Sequence, residues 1–475
     1  MRPFGSRGMD GPCCTGGPGV SMRRRDFLTA AAASIAAFGA APLARAATPR
    51  GFPAPVATMV TRWDTDPWAR GAYSALAPGI SPQVRRVLAG ALLGGRVALA
   101  GEYASADWPA TTTGAYESGV QAAQRLVERV RPRRAVVIGA GMAGAAAARV
   151  LHEAGVDVIV VEARDRIGGR IHTDTAWGAP VELGAAWVHG TAGNPVAELA
   201  RTLSLRLVTT DYDDSVARDT VTGRWSPAGE RAQQRMVGLV SRMENAWPPL
   251  ATSASTWLRD HGWRDDRFGA WAAEVELTQE YGLGPSDLGV RATEEGLDMR
   301  GPDAFVGGGY ARIPQALVDG LDVRLRAPVR SVSVSGASAT VRFEDGTSQA
   351  ADAVIVAVPV SLLRERAITI EPMDDRVARA ISAMRTGDLE KVVLRYDEEW
   401  WPDVTVLGVI GGGVPGAPAG SPAALRWTEF YPLTGLLGFP AIVGFSGGSA
   451  SMARPRSDAQ CVAEATAALN AALSG

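Results

Sequence analysis

Three cysteines and four histidines are all that the 475 residues provide. Cys13 and Cys14 sit in the extreme N-terminal segment, which leaves Cys461 alone. A disulfide framework and a cysteine-rich metal centre are excluded, and no metal is expected. An excess of one charge is missing too: 48 basic residues face 50 acidic ones. Without a basic bias, nucleic acid is not an expected partner. Long apolar runs are scarce. The best one, residues 27–46, holds an alanine-rich stretch of about 17 residues with Pro42 near its end, a poor membrane-spanning helix. No stable membrane anchor is expected. Arg23, Arg24 and Arg25 precede this run and Ala44-Arg45-Ala46 closes it. A basic n-region, a mildly apolar core and a small-x-small site read as a twin-arginine signal peptide cleaved near Ala46. The expectation is export to the periplasm or outside the cell by the Tat machinery, which carries folded, cofactor-loaded cargo. Residues 1–21 read as a dispensable leader, with Met22 as an alternative start.

The rest is ordinary for a globular protein, 46% apolar and 21% charged, and long enough for two or three domains. Its clearest signal is "VVIGAGMAGAAAARV", residues 136–150. A buried-type strand runs into Gly139-x-Gly141-x-x-Gly144, and a helix follows. The first glycine makes the tight turn, the second admits a pyrophosphate, and the third lets helix pack on strand. The helix N-terminus supplies free amides to phosphate. "VDVIVVEAR" supplies the next strand, and Glu162 ends it about 18 residues past Gly144, placed for ribose hydroxyls. Strand, turn, helix, strand and acid together point to an adenine dinucleotide. A second turn that looks fit for an anion precedes it, in "AGEYASADWPATTTGAYESGVQAA", residues 100–123.

"EARDRIGGRIHT", residues 162–173, extends the fingerprint with Arg164, Arg166, Gly168, Gly169 and Arg170. A long flavin dinucleotide uses such glycines for close approach and an arginine against its pyrophosphate. Here the chain resembles the flavin amine oxidase family, which includes monoamine, polyamine and spermine oxidases and histone lysine demethylases. The run is shared with protoporphyrinogen oxidases and carotenoid desaturases. Three further stretches narrow the resemblance. "VELGAAWVHG" (181–190) is similar to the family's turn beside the flavin ring, with Gly184, Ala185 and Trp187 on the cofactor and His189 toward substrate. "GDLEKVVLRYDEEWW" (387–401) resembles the segment with the active-site lysine, here Lys391, which in the family holds a water against flavin N5. Read without the resemblance, Lys391 is a solvated strand end. "TRWDTDPWARGAYS" (61–74) puts Trp63 near the flavin and Tyr73 in the aromatic wall of the catalytic site. Without the resemblance both are core aromatics. Val329 is also assigned to the cofactor.

The stretch at 100–123 resembles the family's closing motif, with Glu102 facing the ribityl chain and Thr111 and Thr112 at a helix entry. Many members have histidine at the position of Thr113. In the family this motif ends the chain; here it precedes the dinucleotide turn. Every part occurs once, and "GFPAPVATMVTRWDTDP" (51–67) looks like the family's continuation beyond this chain's last helix. The order reads as a circular permutation closed by "RPRR" (131–134), whose four residues span at most about 14 Å. The rival reading is a tail fused to a truncated enzyme.

The expected architecture is α/β: a Rossmann-like FAD-binding domain of the glutathione-reductase-2 type beside a mixed sheet-and-helix substrate domain. The segments are 1–46, signal peptide; 47–130, displaced flavin-side segment; 131–194, dinucleotide-binding βαβ; 195–320, a largely helical substrate part; 321–386, return strands; and 387–475, substrate-domain strands and the final helix. The resemblance implies oxidation of a primary or secondary amine, with a polyamine among the candidates. The imine is hydrolysed to aldehyde plus ammonia or amine, and O2 becomes H2O2. Monoamine oxidases attach flavin through a cysteine just before the wall tyrosine. Ala72 stands there, so FAD is expected to bind non-covalently. Glu274, Glu276 and Glu280 fall in a helical region that could line a cavity, as the acids that bind distal ammonium groups do in polyamine oxidases, but such a cluster more often reads as a solvated face. An L-amino-acid oxidase, which needs an arginine for the substrate carboxylate, a desaturase and a non-catalytic flavin-binding protein stay open.

Overall fold

The computed structural model describes residues 51–297, 299–411, 426–448, 451 and 457–475. The export signal expected at 1–46 lies outside the described residues. No helix among those described is long and apolar enough to cross a membrane.

Three apolar runs, Arg134–Ile138, Asp157–Val161 and Ala353–Val356, form the centre of a six-stranded sheet. Its order is Asp322–Arg324, Asp157–Val161, Arg134–Ile138, Ala353–Val356, Val97–Leu99 and Leu92–Leu93. The first five are parallel, and the last pairs antiparallel. Buried on both faces, the central strands read as near-continuous apolar runs without alternation. The helices Thr112–Arg129 and Met142–Glu153 cover one face. They cross at Gly119, where a Cβ would lie 2.0 Å from Ala143 O. Alanines 122, 123, 145, 146, 147 and 148 keep this layer thin. Both helices aim their N-termini at the same end of the sheet, so the two turns flagged in the sequence face one space.

A second sheet has seven strands, in the order Ala57–Val60, Leu389–Arg395, Ala441–Gly447, Glu429–Pro432, Val406–Ile410, Ser215–Asp219 and Arg224–Trp225. Only Ser215–Asp219 and Val406–Ile410 pair in parallel. One face packs under the helix Asp458–Leu473 through Trp427, Phe430, Leu469 and Cys461. The other face forms the floor of a cavity. Residues 51–130 thus feed both sheets: Ala57–Val60 edges the second, and Val97–Leu99 joins the first. The stretch 195–320, expected to be largely helical, holds the strands Arg206–Thr209, Ser215–Asp219 and Ala304–Gly307 as well as the helix Pro227–Ala246. Their alternation is short and interrupted by Asp and Gly, which hid them.

Candidate active site

A single cavity of about 710 Å³ runs from the glycine turn to the floor of the second sheet. The volume lies in the usual range for a cofactor-and-substrate site. Among the residues lining it are Trp63, Ala72, Tyr73, Glu102, Thr111, Thr112, Gly139, Gly141, Glu162, Arg164, Gly169, Arg170, Gly184, Ala185, Trp187, His189, Val329 and Lys391. Of the residues singled out in the sequence for cofactor or substrate, Gly144 alone is not on the wall. It stands behind it: a Cβ there would lie 1.8 Å from Gly139 O, so the helix rests directly on the turn.

At the dinucleotide end, Gly139 has φ +99°, and a Cβ would meet Ala357 O at 2.6 Å. Gly141 caps the following helix without a side chain, so no side-chain oxygen competes for the first amides. Across from it Gly168 and Gly169 have positive φ and pass within ordinary contact of the site a Gly141 Cβ would take. This open, amide-lined cradle fits a pyrophosphate. Glu162 braces it, accepting from Ala140 N at 2.8 Å and Arg164 N at 2.9 Å. Arg164 and Arg170, the arginines assigned to the cofactor, both line the cavity, and each holds a carboxylate there. Arg164 pairs with both oxygens of Asp66, each at 2.7 Å. It locks the "WDTDP" segment onto the turn. Arg166 stands off the cavity wall and donates to Ile171 O at 3.2 Å; burial and Arg164 lower its pKa to about 10.

In the middle of the cavity, Thr111 caps the helix Thr112–Arg129 by accepting from Gly114 N at 2.9 Å. Thr112 shares a 2.6 Å hydrogen bond with Tyr310. Thr113, where the family often has histidine, is buried and bonded to Asn194 at 2.9 Å, a packing role. Glu102 is buried and accepts from Ser74 and from Arg170. Trp63 donates its indole N–H to Leu183 O at 3.3 Å, and the Tyr73 hydroxyl donates to Gln279 O. Both aromatics therefore have fixed orientations on the wall.

Lys391 is not a solvated strand end. It sits inside the strand Leu389–Arg395 with 6% exposure. Its ammonium donates to Gly184 O at 2.5 Å and Glu182 O at 3.0 Å, the backbone of the "VELGAAW" turn. The rings of Phe445 and Trp187 stand 5.5 and 5.9 Å away. Burial lowers the lysine to about 8, against the pull of the Glu182 carboxylate. Burial likewise raises Glu182 to about 7.

Strand register builds the rest of the floor. Lys391 lies opposite Phe445, Phe445 opposite Glu429, Glu429 opposite Gly408, and Gly408 opposite Ala217. All five line the cavity. With about 4.8 Å between strands, Lys391 and Glu429 stand roughly 10 Å apart along one row. Trp187, Phe305, Tyr431 and Phe445 form an aromatic box over this row, with centroids 3.9 to 5.7 Å from Trp187. Glu429 accepts from the Tyr431 hydroxyl at 3.1 Å, and burial pushes it up to about 8, with Glu276 adding to the rise.

The cluster read as a solvated face is buried instead. Helix Arg267–Ala273 continues into a π-helical turn, Glu274–Thr278. Glu274 and Glu276 are both buried within this turn, a distortion common at functional sites. Glu276 lines the cavity and accepts from Gln233 at 2.8 Å. Glu274 accepts from Gly447 N at 3.3 Å and is raised to about 8 by burial. Glu280 also reaches the wall. Sequence reasoning missed Glu429, Tyr431, Phe445 and Asp303. The first two were signalled by "TEFYP", where an acid and an aromatic alternate onto one strand face. At the far wall Asp303 accepts from Gly190 N at 2.9 Å, bonds His189 Nδ1 at 2.7 Å, and accepts from Tyr212 at 3.2 Å. Away from the cavity, Asp64, Asp388 and Glu390 bring carboxylates within 4.8 Å of one another; Thr61 and Ser451 hydroxyls donate to two of them.

Residues 40–127, 142–280 and 281–474 match the family model described as flavin containing amine oxidoreductase. Polyamine oxidase 4 of Oryza sativa subsp. japonica is 32% identical over 304 residues, covering 59% of this chain and 62% of that one. Probable polyamine oxidase 4 of Arabidopsis thaliana is 30% identical, covering 66% of each. The match thus spans slightly less than two thirds of these relatives. A solved structure of putrescine oxidase bound to putrescine superposes with a TM-score of 0.56 at 23% identity, over 72% of this chain and 81% of that one. That likeness is one of fold, a mixed α/β architecture. Since the family match takes in most of the chain, the protein belongs to the flavin-containing amine oxidoreductases.

Proposed function

We propose that the protein oxidises an amine that carries a second cationic nitrogen, a diamine or polyamine. One observation carries the reading: the aromatic box beside Lys391 leads along one sheet row to the buried carboxylates Glu429 and Glu276. A buried carboxylate such as Glu429, bonded to the Tyr431 hydroxyl beside the aromatic box, suits an ammonium that arrives with the ligand. The balance is amine plus O2 plus water to aldehyde, smaller amine or ammonia, and H2O2.

The cofactor is FAD, held without a covalent bond. It supplies the two-electron acceptor and passes the electrons to O2. In our reading the parallel sheet with its glycine turn is the Rossmann-like FAD-binding domain. Gly139, Gly141 and Gly169 take the pyrophosphate, Glu162 the ribose, and Glu102, Thr111 and Thr112 the flavin side. Arg164 acts through Asp66, as a brace. Trp63, Gly184, Ala185, Val329 and Trp187 shape the ring's place. Lys391 anchors the 182–184 turn there and offers its remaining N–H to the reacting centre. The box of Trp187, Phe305, Tyr431 and Phe445, with Tyr73 elsewhere on the wall, excludes water and favours the neutral form of the reacting amine. His189, set by Asp303, faces substrate from the opposite wall. An amino-acid oxidase would need an arginine beside Lys391. The cavity arginines Arg70, Arg164 and Arg170 instead pair with Glu365, Asp66 and Glu102. Anaerobic mixing with mono-, di- and polyamines tests the proposal: a diamine or polyamine bleaches the flavin fastest. A flavoprotein that no amine bleaches rejects it.

The chain order we read as a circular permutation of the family's. In support, each stretch that resembles the family occurs once, with the closing one ahead of the glycine turn; the last helix crosses the second sheet from Arg62, beside Ala57–Val60, to Gly223 at the other edge. A chain recut to begin at Arg133, with 475 joined to 51 by a flexible linker long enough to cross the second sheet, is expected to load flavin; failure to fold favours the fused-tail reading. Export by the twin-arginine route is part of the same proposal. Replacing Arg23, Arg24 and Arg25 with lysine is expected to leave the protein inside the cell, and unchanged secretion excludes that route.

A further inference from the structure

Behind the flavin wall runs a chain of buried charges that the chemistry above does not use. Arg85, in the short helix Gln83–Ala89, has a side chain only 1% exposed, and its partner Glu295 is 4% exposed. Nε and Nη2 of Arg85 donate to the two Glu295 oxygens at 2.6 and 2.9 Å. Nη1 donates to Ser74 Oγ at 2.7 Å. Ser74 Oγ donates to Glu102 Oε2 at 2.5 Å, and Ser74 N donates to Oε1 at 3.2 Å. Glu102 Oε1 also accepts from Arg170 Nη1 at 3.0 Å. Glu102 and Arg170 line the cavity; Arg85, Glu295 and Ser74 stand behind them.

A buried ion pair is weak support for a fold, since apolar residues of similar volume often serve as well. Here the pair is continuous with the cavity wall, and its members alternate in sign: Glu295, Arg85, Glu102, Arg170. Ser74 sits between Arg85 and Glu102 and adjoins Tyr73, so the pair also fixes the strand Tyr73–Ala75. We propose that Arg85 and Glu295 are positioning residues for the flavin. They hold Glu102 in register through Ser74 and keep the charge of that wall at zero. The inference rests on FAD occupying the cavity.

Two substitutions separate charge from geometry. Glu295→Gln keeps the shape and leaves the chain with one net positive charge. Arg85 then turns its fork on Glu102 and competes with Arg170. Reduced flavin carries negative charge, so the added positive charge favours it. We expect flavin release from the holoenzyme to quicken about tenfold. The midpoint potential rises by about 30 mV, a tenfold preference for a two-electron couple. Arg85→Lys keeps the charge but replaces the planar fork, which holds Glu295 and Ser74 together, with a single ammonium. Its flavin is expected to leave faster with the potential unchanged. If either variant fails to fold, the other still decides. Wild-type release rates and potentials in flavin-loaded variants, with only the melting temperature lowered, would show a purely structural pair and overturn the inference. A wild-type protein that holds no flavin overturns the FAD reading, and this inference with it.

Discussion

Glu429→Gln is the sharpest test of how the cavity selects its substrate. The carboxylate lies two strands from Lys391 in a single row, under an aromatic box, with 9% exposure. Removing one partner of a buried charge pair costs 2–5 kcal/mol. Glu276 remains nearby to share the distal ammonium, which puts the loss in the lower half of that range, about 3 kcal/mol. At 1.4 kcal/mol per tenfold, kcat/KM for a diamine falls about a hundredfold. For a monoamine of the same chain length nothing reaches the acid, and the change stays within about threefold. The assay is peroxide release with putrescine and with butylamine, expressed as the ratio of their kcat/KM values. Taking the ratio cancels the titration of the reacting nitrogen, which both substrates share. Its pH dependence then reports the acid. Burial raises Glu429 to about 8, so the carboxylate form is scarce below that pH in the empty site and the ratio climbs as pH rises toward 8. Glutamine removes this limb. A variant that keeps the wild-type ratio and its pH dependence would refute the placing of the distal nitrogen at Glu429.

Lys391→Met removes the donors to Glu182 O and Gly184 O. We expect flavin reduction by amine to slow at least tenfold, with a shifted flavin spectrum and an intact diamine preference; an unchanged reduction rate contradicts the role given to the lysine. Gly144→Ala puts a Cβ 1.8 Å from Gly139 O and is expected to abolish flavin loading. Gly238→Ala, where nothing lies within 4 Å, is the control and gains about 0.5–1 kcal/mol in a denaturant melt. Glu274→Gln tests the buried acids through stability. Its carboxyl is raised from 4.5 to about 8, so the folded state holds the proton more tightly. That contribution is complete below pH 4.5 and lost as pH rises through 8. The wild-type melting temperature should therefore sag between those limits and the variant's should sag less; parallel curves would exclude the effect.

Legibility from sequence followed physical range. The glycine turn was readable because each glycine answers a local demand, a positive φ or a close approach, within a few residues of chain. Glu162 was readable because strand length sets its distance from the turn. Lys391 was located by its flanks, yet its burial was not, since a lysine in a strand of valines looks the same whether its end meets water or a folded turn 200 residues upstream. Glu429 escaped entirely. Its meaning comes from register with Phe445 and Lys391 on two other strands, and no single strand carries that information. The acids at 274 and 276 failed for a different reason. Acids crowded into one helical stretch look solvated by composition, and the groups that meet them, Gln233 and the Gly447 amide, lie far off along the chain.

The displaced turn at 100–123 joins these two kinds of information. Locally it is an anion-binding loop with a threonine cap, and locally it competes with the glycine turn at 139–144. The sheet removes the competition. Val97–Leu99 and Arg134–Ile138 flank the same strand, Ala353–Val356, in parallel, so their following turns must emerge at the same edge. In an open parallel sheet that edge is where ligands bind. Two helix starts a strand apart can then serve two ends of one long anionic cofactor, whichever comes first in the chain. A fold held by strand order in space, and not by order along the chain, is one that can tolerate being cut and rejoined. For this reason the recut chain is expected to fold, and the flavin to find both turns in place.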